Sequence, residues 1–120
     1  MKIKTRDLTG AALDWAVAKC EDKNGVLHDD GITRCIVIAA PSGVYKGRYT
    51  PTVNWAQGGP IIERERISIR QWTNVPIVHA YIPQDNAPWQ SDGASPLIAA
   101  MRCLVAAKLG DEVDVPEELM

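Results

Sequence analysis

The chain contains no phenylalanine, although four tryptophans (Trp15, Trp55, Trp72 and Trp89) and three tyrosines occur in its 120 residues. Its large aromatics therefore carry a polar N–H or O–H that wants a partner, which suits the edge of a core or pocket. No sign of charge dominates: 13 Lys and Arg against 15 Asp and Glu leave a net charge of -2. That balance offers no general attraction to nucleic acid, so nonspecific nucleic-acid binding is not expected. No run approaches the roughly 20 apolar residues of a membrane span. The basic start, Met1-Lys2-Ile3-Lys4-Thr5-Arg6-Asp7, leads into no apolar region of the kind a secretory signal needs, and the expected location is the host cytoplasm. Cysteine is sparse. Cys20, Cys35 and Cys103 are odd in number and far apart, unlike a disulfide framework or a zinc knuckle, and read as reduced, buried thiols. Also missing are a nucleophile elbow, a phosphate-binding Gly-Lys-Ser/Thr loop, a dinucleotide Gly-x-Gly-x-x-Gly, His-Glu-x-x-His and Cys-x-x-Cys. Hydrolytic and redox templates have no foothold, and no cofactor or metal is expected.

What is present fits one globular domain, with 46% hydrophobic and 23% charged residues. The stretch Tyr49 to Glu63 concentrates two aromatics, two prolines, adjacent glycines, an Asn and a Gln, and reads as a shaped loop. Such a loop either plugs the end of a core or forms a small-molecule surface, with one flat apolar face and a few convergent polar groups. In the second case its candidate ligand-binding residues are Tyr49, Asn54, Trp55, Gln57, Gly58 and Gly59, with Arg64 or Arg66 at the rim.

Along the chain, Met1 to Thr5 suits a short edge strand. Thr9 can cap a helix from Ala11 to Glu21, with Leu8 and Leu13 at the spacing of a hydrophobic staple and Asn24-Gly25 closing the run. Glu21 to Gly31 reads as a solvated loop; its His28, Asp29 and Asp30 are too close together in sequence to make a metal site without further ligands. Ile32 to Ala40 predicts a buried strand, Pro41-Ser42-Gly43 a turn, and Val44 to Tyr49 its hairpin partner. Ile61 to Arg70 alternates as a charged strand, with Arg64, Arg66 and Arg70 on one face, suited to an anion or to neighbouring acids. Gln71 to Val75 reads as a turn and Pro76 to Ile82 as a further strand, on which His79 is a packed or hydrogen-bonded residue. Pro83 to Ser95 reads as a second long loop. Ser95 then caps a helix with Pro96 at its first position, apolar from Leu97 to Leu109 and closed by Gly110. So apolar a helix must be covered by the sheet, the first helix or a second subunit, which points to a homo-oligomer. Asp111 to Met120 reads as an acidic surface tail. These elements predict a single α+β domain, an antiparallel sheet of about four or five strands with two helices packed on it.

Several strings carry a resemblance: Met1-Lys2-Ile3-Lys4-Thr5, Leu8 to Ala18, Asn54-Trp55-Ala56-Gln57-Gly58-Gly59-Pro60-Ile61-Ile62, Ser95 to Arg102 and Lys108 to Pro116. Together they resemble the NinX-like family of small phage and prophage proteins. That resemblance implies a phage accessory gene and a domain of unknown function. It also implies an Asp before the loop Trp in typical members, where this chain has Asn54. Such proteins often act by sequestering or masking something in the host. The resulting expectation is a non-enzymatic binding module for a small nucleotide-like ligand, with stacking on Trp55, hydrogen bonds from amides and charge from Arg. The alternatives are a module that masks a host protein, using the same aromatics as hot spots, and a small enzyme without a local motif.

Overall fold

In a computed structural model the described residues are 1–39, 42, 45–83 and 89–119. The order of elements is β1 (Lys2–Lys4), a 3₁₀ turn (Thr5–Asp7), α1 (Gly10–Cys20), β2 (Gly25–Asp29), β3 (Arg34–Ala39) and β4 (Tyr45–Arg48). It continues with α2 (Trp55–Glu65), β5 (Ser68–Arg70), β6 (Val78–Ile82), β7 (Trp89–Gly93), α3 (Pro96–Leu109), β8 (Glu112–Asp114) and a closing 3₁₀ turn (Glu117–Leu119).

The α+β class holds, but one sheet with two helices does not. Three small antiparallel sheets are present, β1-β8, β2-β3-β4 and β5-β6-β7. The physical reason lies in α3. It is buried along most of its length, at Leu97, Ala99, Ala100, Met101 and Cys103 to Ala106. It packs on β6 and β7, on α1 and α2, and on the first 3₁₀ turn and β8. One sheet cannot cover a helix that is apolar all round, so several elements share the task. Helix α1, with Leu13, Ala16 and Val17 fully buried, lies between α3 and the β2-β3-β4 sheet. The apolar surface of α3 is thus covered within one chain.

Helices α1 and α3 form where propensity and capping place them. Ser95 Oγ accepts the Ile98 N–H at 3.2 Å with Pro96 beside it, and Leu8 and Leu13 are both buried. Thr9 takes the cap position of α1 without a side-chain hydrogen bond.

Four sequence expectations are corrected. The Glu21 to Gly31 loop contains β2, paired with β3 from Gly25↔Ile38 to Asp29↔Arg34. The Pro83 to Ser95 loop contains β7, paired with β6 from Val78↔Gly93 to Ile82↔Trp89. The acidic tail forms β8 on β1 and buries Val113, Val115 and Leu119, because its alternate apolar residues find a core that the sequence alone does not display. The charged strand Ile61 to Arg70 is instead the end of α2, from Ile61 to Glu65, a turn at Arg66 and Ile67, and the short β5. Of the turn Pro41-Ser42-Gly43 only Ser42 is described, and Val44 and Pro88 also lie outside the described residues.

Candidate functional site

From Trp55 on, the central stretch is a helix rather than a shaped loop, and only residues 49–54 leading into it are irregular. Asn54 Oδ1 accepts the Ala56 N–H at 2.9 Å, supplying the partner that an exposed first-turn donor needs. Two glycines and Pro60 argue against a helix by propensity, but packing overrides them. A Cβ on Gly58 would stand 2.6 Å from Leu97 Cδ2 and 2.7 Å from the Pro51 carbonyl oxygen. The missing side chain is what lets α2 approach α3 and the 51–54 turn. The helix ends at Arg66 in the left-handed region, φ 54°.

This geometry divides the candidate residues. Tyr49, Gln57 and Arg64 come together in a cleft of about 430 Å³ between the end of β4, α2 and the residues just after α1. Tyr49 is buried, and Lys23 Nζ stands 5.9 Å from its ring centroid. Burial pushes its phenol up to about 12, with Glu21 and Asp14 adding to the rise. Gln57 is a bridge: Oε1 accepts the Thr50 N–H and Nε2 donates to the Arg48 carbonyl, both at 2.7 Å. Arg64 donates to both carboxylate oxygens of Glu21 at 2.7 Å, and that pairing raises its already high pKa further. Arg48, Ile38 and Pro60 complete the walls that matter chemically.

Asn54, Trp55, Gly58, Gly59 and Arg66 do not line this cleft. Asn54 is committed to the helix cap. Trp55 stands on the first turn, 56% exposed, beside Val53 at 73%. Gly58 is a packing residue. Gly59 faces the Trp55 ring, where a Cβ would meet Cε3 at 4.0 Å. Arg64, Arg66 and Arg70 fall on α2, on the turn after it and on β5, so the three arginines do not share a strand face.

Lys23, Glu21 and Arg48 were missed from the sequence. Glu21 pairs with a residue 43 positions away, and no local spacing signals that. Asp14 was missed as well. It is buried and accepts the Thr52 N–H at 3.1 Å, tying α1 to the turn that precedes α2.

The remaining candidates have structural work. Asp29 Oδ1 accepts from Gly31 N, and Asp30 Oδ1 from Ile32 N and Thr33 N; those two backbone donors hold the Asp30 carboxyl below its usual range. Together they shape the β2–β3 turn, with His28 Nε2 3.6 Å from Asp30. Burial raises the Cys20 thiol to about 12 and the Cys103 thiol to about 11, which keeps both protonated and unreactive. Among the described residues no helix is long and apolar enough to cross a membrane.

The family model described as bacteriophage P22 NinX matches residues 4–108. No curated protein matches the chain.

Proposed function

The chain belongs to the bacteriophage P22 NinX family and is a phage accessory protein, and on that premise we propose that it is a non-enzymatic binding module of the host cytoplasm, holding a small nucleotide-like ligand in the cleft between β4 and α2. The observation that carries this reading is the gathering of Lys23, Arg48 and Arg64 around Tyr49 with one carboxylate, Glu21. Arg64 is neutralised by Glu21, which leaves Lys23 and Arg48 to meet phosphate oxygens. Ile38, Pro60 and the Tyr49 ring offer an apolar wall to a flat base, and Gln57 fixes the cleft's shape rather than reaching for the ligand.

Native mass spectrometry of gently purified protein, compared with denatured and filtered extracts, detects a carried ligand. Isothermal titration with nucleoside mono- and triphosphates then measures affinity. The expectation is one-to-one binding, weakened about tenfold or more by Arg48→Glu, as the loss of a charge-assisted contact requires, and unchanged by Trp55→Ala. Absence of nucleotide binding, or equal affinity in Arg48→Glu, ends this reading.

A second reading has its own observation, the exposure of Trp55 and Val53 side by side at the start of α2. There they suit an interface hot spot against a host protein. It predicts a stoichiometric polypeptide partner that Trp55→Ala releases.

A further inference from the structure

A larger cavity, about 600 Å³, lies between the first 3₁₀ turn, the strand β7 and α3. It shares no lining residue with the cleft beside α2. Its wall holds Arg6, Arg102 and His79, with Asp7 and Asp92 as the acids and Pro76 and Ile77 as an apolar side.

Arg102 is the built part. It sits half-buried on α3, where Nε donates to the Leu8 carbonyl at 2.9 Å and Nη1 to the Asp92 carbonyl at 2.8 Å. Both acceptors are neutral. Among the described residues neither Arg102 nor Arg6 has a carboxylate within ion-pair distance. A guanidinium has five N–H donors in a fixed plane, so two neutral carbonyls orient it while leaving donors over. Burial lowers the pKa of Arg102, and Asp7 partly offsets that. An arriving anion would supply the counter-charge that the half-buried guanidinium lacks.

His79 is oriented in a similar way. It stands in register between Arg70 on β5 and Asp92 on β7, with Tyr81 beside it at 6.1 Å between ring centroids. Its Nδ1 lies 2.7 Å from Asp92 Oδ1, which turns that carboxylate toward the imidazole and leaves Nε2 as the ring's second hydrogen-bonding atom. Asp92 is thus used twice, by side chain and by carbonyl, to position His79 and Arg102. Beside these groups Ile77 is 50% exposed, an apolar surface next to a polar clamp, the usual make-up of a small-ligand site.

We propose that this cavity is a second binding site, for a small ligand bearing an oxyanion, either phosphate or carboxylate, clamped between Arg102 and Arg6, with His79 as the third group in its imidazolium form, in which Nδ1 donates to Asp92 and Nε2 donates to the anion.

The test is an NMR titration of the isotope-labelled full chain with inorganic phosphate and, separately, with acetate, following backbone amides and the arginine Nε–H signals. Saturable shifts are expected at Arg6, Ile77, His79 and Asp92 and at the Arg102 Nε–H. Arg6→Gln and His79→Gln should each weaken binding about tenfold, the loss of one charge-assisted hydrogen bond. Arg6→Gln is the decisive variant because Arg102 also ties Leu8 to β7 and its replacement disturbs the fold. Tighter binding of phosphate than of acetate assigns a phosphate ligand, and the reverse order a carboxylate. Shifts that do not saturate with either anion would overturn the site, as would saturable shifts untouched by both variants. Shifts confined to Lys23, Arg48 and Tyr49 would also overturn it, while supporting the cleft beside α2.

Discussion

Asp14 holds a carboxyl group where charge is costly. It is 4% exposed, and burial pushes its pKa from 3.8 up to about 6, against the restraining hydrogen bonds from Thr52. The folded-state value lies above that of the unfolded chain, so the folded protein binds this proton more tightly. The resulting stability is fully present below the unfolded value of 3.8 and is lost as the pH rises through about 6. The difference between the two ends of that range is about 3 kcal/mol. Asp14→Asn keeps an oxygen acceptor for Thr52 and removes the charge. Its melting temperature is expected to exceed that of the natural chain by several degrees at about pH 8, the two converging near about pH 4. Thermal melts across that range check it, and the comparison cancels the other carboxylates. Curves that run parallel at every pH would count against a buried, titrating Asp14. At the same scale, Asn54 shows what sequence can mislead about. An Asn in place of an acid suggests lost chemistry, yet Asn and Asp cap a helix about equally well, and the first turn of α2 accounts for the residue.

At the scale of elements, α2 is where local signals and tertiary packing disagree most. Gly58 and Gly59 look alike in sequence and do different things. Gly58→Ala forces a methyl group against the Pro51 carbonyl and Leu97, and is expected to cost about 1–3 kcal/mol by overpacking. Gly59→Ala meets only the Trp55 ring at 4.0 Å and should add roughly 0.5–1 kcal/mol through lower chain entropy. Urea unfolding of the two variants separates them, and a shift of the same sign in both would contradict the packing of α2 on α3. Helices α1 and α3 were legible because their apolar spacing, the Ser95-Pro96 start and the Gly110 stop agree with one another. Strands β2 and β7 were not, since each is rich in polar or turn-forming residues and becomes a strand only through a neighbour's hydrogen-bonding edge.

At the scale of the whole molecule, the two ends of the chain close it. Strand β8 pairs with β1 from Lys2↔Asp114 to Lys4↔Glu112, Thr5 Oγ1 donates to the Gly110 carbonyl at 2.6 Å, and Val113, Val115 and Leu119 are buried. Those last residues lie beyond the 4–108 span that the family model matches. Removing residues 111–120 strips three apolar side chains from the core, at a cost of about 5 kcal/mol. That is comparable with the whole net stability of a small domain. The truncated chain is expected to lose cooperative thermal unfolding and dispersed amide signals; an unchanged melt would show that the end clasp is dispensable.

The sequence by itself determined the α+β class, the two apolar helices, the β3–β4 hairpin, the burial of Cys35 and Cys103 and the family, because each rests on local propensity, periodicity or a contiguous string. Only the tertiary structure decided that the central stretch is helical, that the strands fall into three sheets, and that Tyr49, Gln57 and Arg64 share a cleft which Trp55 does not enter. Those outcomes depend on contacts between residues far apart in the chain. Close packing at Gly58, the Glu21–Arg64 pair and the covering of α3 on all sides have no signature in the spacing of residues along it.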